Sequence, residues 1–398
     1  MSNRRLDDLL RKGRLPGEDE ARDRTWHVVR EAHAEREPIS WPRKHARPLA
    51  LAAGVAVLVA GALSPPGMAV FGSLRKAVGT ERVKRSVPAI EYLPGGGELL
   101  VSSSSGTWVV YPNGSRRRLG SYADASFSPH ALYVAGTRGH ELVTFEPNRS
   151  RAVHWAISRA APVSRPVWGP DGYRIAYFAG RSLRVIVGDG SEEAVIAPAA
   201  TLVKPAWQPL PIVEPKGSRH VLAFVGPRGG IGVVDTDKRR RLWRAPAGDG
   251  VRALTWSADG KRLLVVGRRG IRVYGPTGRL LLNHPTKGAT LSAAFAPRSH
   301  SFAFVVAHPR RGESIVLRGD ADRFRPVQAF GGPGRISDLA WSPSGAWLLL
   351  AWKSADQWIF IRSAPVRKPV IISEVTRQFP AAMGPGSYPS LQAWCCSS

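Results

Sequence analysis

The sequence predicts an all-β fold built from seven similar four-stranded units, and three observations carry that prediction. First, an aromatic residue recurs at positions 92, 127, 168, 207, 256, 295 and 341, a mean spacing of about 41 residues. Second, each aromatic is followed by a turn-forming tetrad and then a short apolar run, as in LTWSADGKRLLVVG around Trp256 and LAWSPSGAWLLLAW around Trp341. Third, 41 Gly and 33 Pro in 398 residues supply the tight turns that such a chain needs. A 41-residue period of this kind fits one four-stranded blade, so the expected architecture is a β-propeller of seven blades. A short helical tail and one transmembrane helix are expected to precede it.

The elements follow in chain order. Residues 1–47 are polar and mixed in charge, with too few apolar side chains for a core, and read as a short, partly helical cytoplasmic tail. Within residues 48–72, Leu49 to Leu63 contains no charged or strongly polar residue, and Leu49 to Phe71 is long enough as a helix to span a bilayer. A late signal-peptide core and a buried helix are the competing readings. Arg43, Lys44 and Arg47 before the segment place the N-terminus inside, although Arg75, Lys76, Arg82, Lys84 and Arg85 follow it. Residues 73–86 are basic and supply either a stalk or a closing strand. Residues 87–380 form the propeller, with Tyr92 to Trp341 as the innermost-strand aromatics. In each unit a Ser-Pro-Asp-Gly-like turn sets the bend, and a second hairpin follows, as at Asn113-Gly114. Residues 381–398 are expected to be a C-terminal tail docked by Trp394.

The pattern W-S-x-D-G-x-x-L-x-V, read at Trp256 and with variations at Trp168 and Trp341, resembles the WD40-like repeats of bacterial propellers similar to the TolB family. The likeness covers about three quarters of the chain. It departs from the consensus at Ser-Pro-His-Ala (128–131) and Ala-Pro-Arg-Ser (296–299). The layout of tail, apolar segment, propeller and Trp-Cys-Cys end also resembles uncharacterised membrane-anchored propellers of actinobacteria. That resemblance implies a fold and an envelope location, but no defined activity.

Chemistry is sparse in the sequence. There is no HExxH, no GxSxG elbow, no CxxC and no phosphate-cradling G-x-x-x-x-G-K-[ST]. No catalytic residue, cofactor or metal site is therefore expected. Asp235-x-Asp237 resembles the start of a calcium loop, but Lys238-Arg239-Arg240-Arg241 follows and opposes a cation. Asp171 and Asp259 sit in repeat turns and are read as turn formers, and the ten histidines as rim residues. The two cysteines, Cys395 and Cys396, are adjacent and are candidates for a vicinal disulfide in an oxidising compartment.

Charge is the remaining signal. The chain carries 57 Lys+Arg against 30 Asp+Glu, a formal net charge of +27, and only 11 of the basic residues are Lys. Such a field favours anionic partners. The loops between second and third strands are expected to carry Arg138, Arg181, Arg228, Arg268, Arg269, Arg310, Arg311 and Lys353. Arg165, Arg252 and Arg335 are expected on blade-to-blade loops of the same face. Such a ring suits phosphate or carboxylate groups. The leading expectation is a single-pass membrane protein with its N-terminus cytoplasmic and its propeller extracytoplasmic. It acts there as a non-enzymatic interaction or sensing module for a protein or an anionic polymer or lipid. Alternatives are an enzyme acting on an acidic glycan, an intracellular scaffold, and anti-sigma-like signalling through the tail. Nucleic acid is not expected as a partner of an exported domain.

Overall fold

The computed structural model describes residues 90–148, 153–209, 219–246, 250–363, 368–380 and 387–396. All belong to the unit Glu81–Ser398. The tail 1–47, the apolar segment within 48–72 and the basic stretch 73–86 lie outside the described residues. Among the described residues, no helix is long and apolar enough to cross a membrane.

The described chain folds into seven four-stranded antiparallel sheets. Blade 1 comprises Glu98–Ser103, Gly106–Val110 and Arg116–Gly120 with the C-terminal strand Ser390–Cys395. Blades 2 to 7 are simple meanders whose first strands are Asp124–Phe127, Val163–Trp168, Ala206–Trp207, Ala253–Trp256, Ala289–Phe295 and Ile336–Trp341. Each first strand neighbours the first strands of the adjacent sheets, and Ser390–Cys395 completes that ring between blades 7 and 2. This is a seven-bladed propeller. Six of the seven repeat aromatics named from the sequence end these innermost strands.

The seventh does not. Tyr92 is more than half exposed and belongs to no strand. The innermost strand of blade 1 comes instead from the C-terminus, with Leu99 opposite Trp394 and Leu100 opposite Ala393. The segment expected to be a docked tail is therefore a structural strand, and Trp394 takes the position assigned to Tyr92. Glu98–Ser103 would otherwise present an unpaired edge, and pairing the two ends of the chain removes it. Trp394 Nε1 donates to the Gly96 carbonyl at 2.8 Å, and its ring meets Phe360 edge-on.

The core lies between blades. Seven clusters of buried apolar residues each join two adjacent blades. One packs Val221, Ala223 and Val233 of blade 4 against Leu254, Trp256, Leu263 and Val265 of blade 5. Strands such as Arg174–Ala179 and Trp347–Trp352 are buried on both faces because both face another blade. The inner aromatics also link blades by hydrogen bonds. The indole nitrogens of Trp207, Trp256 and Trp341 donate to the carbonyls of Val167, Ala206 and Ala294, at 3.0, 3.2 and 3.1 Å. Each acceptor is the residue just before the aromatic of the preceding blade. Trp168 breaks the pattern: its Nε1 is buried without a partner among the described residues.

The degenerate turns keep the bend without glycine. Where other copies have Gly172, Gly260 or Gly345 in the left-handed region, Ser-Pro-His-Ala places His130 and Ala131 there, and Ala-Pro-Arg-Ser places Arg298. At the Asn113-Gly114 hairpin only Gly114 is left-handed, and Asn113 Oδ1 accepts from the Ser115 amide and hydroxyl.

Candidate functional site: a basic loop face and an axial channel

The meander fixes which loops share a face. The loops between second and third strands and the blade-to-blade loops hydrogen-bond to one another around the ring. Gly180 N donates to Pro162 O, Ala200 N to Arg181 O, Thr290 N to Arg268 O, and Gly334 N to Gly312 O. Arg138, Arg181, Arg228, Arg268, Arg269, Arg310, Arg311 and Lys353 all lie at these loops, and all eight are exposed. The structure brings them to one face but leaves them unequal. Arg138 pairs with Glu141 at 2.8 Å and Arg311 approaches Glu313 at 3.6 Å. The other six side chains have no hydrogen-bond or ion-pair partner among the described residues.

Of the three arginines expected on blade-to-blade loops, Arg252 and Arg335 lie there. Arg252 donates to the Thr290 carbonyl at 3.1 Å, and the Arg335 amide donates to the Ser354 hydroxyl at 2.7 Å. Arg165 is not on a loop. It lies inside the innermost strand of blade 3, at a bulge before Pro166 with φ 54, and its amide donates to Asp124 Oδ2 at 3.0 Å.

That position leads to a feature not read from the sequence. Arg165 stands three residues before its repeat aromatic. The same offset in the other blades gives Asp124, Lys204, Ala253, Ser292, Asp338 and Leu391. This repeat position, in the innermost strand or, at Lys204, two residues before it, thus carries two carboxylates, two cations and a hydroxyl. Ser292 Oγ donates to Asp338 Oδ1 at 2.5 Å, and the Leu339 amide donates to the same oxygen at 2.8 Å. Burial pushes the Asp338 carboxyl above the ordinary range, against the pull of these donors and of Lys204. Burial also lowers the Lys204 amine, with Asp124 and Asp338 opposing and Arg165 adding to the effect. Lys204 opens onto the channel, so part of its surface is accessible. Its amine has no hydrogen-bond or ion-pair partner among the described residues. Tyr388 reaches the same neighbourhood. Its hydroxyl donates to the Gln357 carbonyl at 2.8 Å, and burial, with Asp356 and Asp338 adding, raises its pKa.

Beside this ring is a cavity of about 410 Å³. Phe127, Trp168, Trp207 and Trp256 line it, together with Lys204 and Cys395. Among the described residues, Lys204 is the only ionisable side chain in its wall. Cys395 and Cys396 are joined as a vicinal disulfide at the end of the closing strand.

The remaining candidates are structural. Asp235 is buried and its Oδ1 accepts from the amides of Asp237 and Lys238, which forms the turn. Asp171 and Asp259 shape their turns by accepting from amides two and three residues on at Asp171, and from Lys261 N at Asp259. They also do more. His220 lies between Asp237 and Asp171 at 2.7 and 3.1 Å, with Arg174 bridging the same two carboxylates. His300 lies between Asp322 and Asp259 at 2.5 and 2.9 Å, with Arg262 on Asp322. These equivalent clamps tie blade 3 to blade 4 and blade 5 to blade 6.

No protein-family model matches the chain, and no curated protein matches it. Solved structures match in large number, 1445 chains, so the fold is common and carries no function by itself. The β-propeller domain of Myceliophteria thermophila Cps50 (Swd1) is similar at 15% identity and a TM-score of 0.51, covering 68% of this chain and 95% of that one. Kuenenia stuttgartiensis hydrazine synthase is similar at 15% identity and a TM-score of 0.47, covering 61% of this chain and 76% of that one. At this identity the first likeness establishes the seven-bladed, WD40-like propeller fold and nothing finer.

Proposed function

We propose that the chain is a membrane-anchored, non-enzymatic propeller that acts as an interaction or sensing module on the extracytoplasmic side, similar in kind to TolB-like envelope propellers. Its loop face takes anionic groups of a polymer, lipid or protein. The observation that carries this reading is the set of six exposed cations, Arg181, Arg228, Arg268, Arg269, Arg310 and Lys353, on one face without carboxylate partners among the described residues. A rigid ring of loops presenting unpaired guanidinium groups suits bidentate capture of phosphate or carboxylate. The anchor rests on the apolar run Leu49 to Phe71.

The test is replacement of Arg268, Arg269, Arg310 and Arg311 by Gln in the full-length protein, with binding to inorganic polyphosphate as readout. Affinity is expected to fall at least tenfold while the melting temperature stays nearly unchanged. Unaltered binding would sink the proposal. Alkaline carbonate extraction tests the anchor: the full chain stays with the membrane, and a chain lacking 49–71 does not. Release of the full chain would count against the anchor.

A second reading is an enzyme acting on an acidic glycan. It is favoured by one observation, the presence of Asp124 and Asp338 at one register of the channel, with the Asp338 carboxyl raised by burial.

A further inference from the structure

We infer that the axial cavity is a binding site for a small organic anion with an apolar or aromatic body, anchored by Lys204. This does not depend on the loop face, because the cavity and the eight loop cations share no residue.

Three observations converge. The cavity, at about 410 Å³, has the size of a small-molecule site, and its wall includes three indoles and one phenyl ring. Among the described residues its one ionisable side chain is Lys204, part-exposed to the cavity, and the amine has no hydrogen-bond or ion-pair partner there. A half-buried ammonium that faces an apolar-walled cavity without a direct partner is open to one, and a ligand carboxylate or phosphate would supply it. The two carboxylates at the same register do not line the cavity. Asp338 is occupied by Ser292 and Leu339, and Asp124 accepts from the Arg165 amide. The aromatic rings then determine the rest of the ligand: a flat or apolar body packs against them, while a fully polar anion gains only the charge.

The proposal also predicts a pH signature. Burial lowers the Lys204 amine in the empty protein. Anion binding favours its protonated form, so affinity is retained at low pH and lost as the pH rises through that lowered value. The loss comes before an ordinary lysine would titrate.

The probes are 2-naphthoate and its neutral isostere 2-naphthamide, followed by equilibrium dialysis of the full-length protein in mild detergent against a detergent-only blank. The wild type is expected to prefer naphthoate at least tenfold. Lys204→Met removes the preference, Lys204→Arg retains part of it, and Lys353→Met, on the loop face, leaves it unchanged. The wild-type preference declines at alkaline pH. Absence of saturable naphthoate binding by the wild type, or an undiminished preference in Lys204→Met, overturns the proposal. If Lys204→Met does not fold, a pH-independent wild-type preference overturns it equally. Loss of polyphosphate binding with naphthoate binding intact separates the loop-face reading from this one.

Discussion

Replacing His300 by Ala should cost stability in a pH-dependent way, and the size can be worked from the clamp. Both imidazole nitrogens face carboxylate oxygens, Nδ1 at 2.5 Å from Asp322 and Nε2 at 2.9 Å from Asp259. A neutral ring donates through only one nitrogen, so the geometry asks for imidazolium. Burial alone would lower the His300 pKa, but the hydrogen bonds to Asp322 and Asp259 and their charges raise it above 6.5. Burial likewise works against the Asp259 carboxylate. The Ser257 hydroxyl, the Lys261 amide and His300 outweigh it and hold that carboxyl at about 2. The hydrogen bond from His300 lowers Asp322, with Arg262 helping. A raised histidine contributes stability below its unfolded value of 6.5 and loses it as pH climbs through the folded value. Lowered aspartates contribute above 3.8 and lose it as pH falls through theirs. The clamp is therefore complete between about pH 4 and 6.5. Asp259 and Asp322 are 39% and 44% exposed. Solvent screening therefore limits each contact to about 0.2–1 kcal/mol. Two contacts make His300→Ala worth about 0.4–2 kcal/mol at pH 5.5, and less than half of that at pH 9. Urea denaturation of the full-length protein and the variant at both pH values, with matched slopes, measures the difference. An equal cost at pH 5.5 and pH 9, or a larger one at pH 9, would refute the reasoning.

Two further outcomes follow from the ring of inner strands. Trp256→Phe should destabilise more than Trp168→Phe, by about 1 kcal/mol in denaturant titrations: the two rings are almost equally buried, but only Trp256 gives up a hydrogen bond, to Ala206. Ending the chain after residue 389 removes the strand that pairs with Glu98–Ser103, and should abolish the cooperative unfolding transition in thermal melts; a truncated chain that melts like the full one would refute closure by the C-terminal strand.

The repeat was legible because its physics is local. An aromatic wedge between blades, a turn with a left-handed residue and a two-sided apolar strand all lie within about 15 residues, and they recur. Closure was not legible by the same means. The stretch Gln392-Ala393-Trp394 matches Asp338 to Trp341 in its Ala-Trp pair, but Cys395-Cys396-Ser397-Ser398 replaces the Ser-Pro-Ser-Gly turn. A repeat search that weights the turn reads that stretch as a tail and accepts Tyr92 in its place. Only the partner strand, almost 300 residues away, distinguishes the two, because Glu98–Ser103 has a free edge until Ser390–Cys395 fills it.

The site divides along the same line. Loop cations are visible in a sequence because the meander assigns every second-to-third loop to one face, whatever the details of packing. Arg165 shows where that rule fails. Counted as loop, it is in fact the residue at which the inner strand of blade 3 bulges, with Pro166 unable to donate an amide to the ladder. Once Arg165 is moved into the strand, the offset of three from Trp168 becomes the useful signal. Applied to Phe127, Trp207, Phe295 and Trp341, it yields Asp124, Lys204, Ser292 and Asp338. Those residues look unrelated in sequence because identity varies from blade to blade while position does not. A propeller needs its aromatics to be alike, since each wedges between similar neighbours. The channel residues face one another around an axis, where like charges would repel. Variation around the ring is what allows a lysine, a carboxyl and a hydroxyl to share that position, with the hydroxyl of Ser292 donating to Asp338.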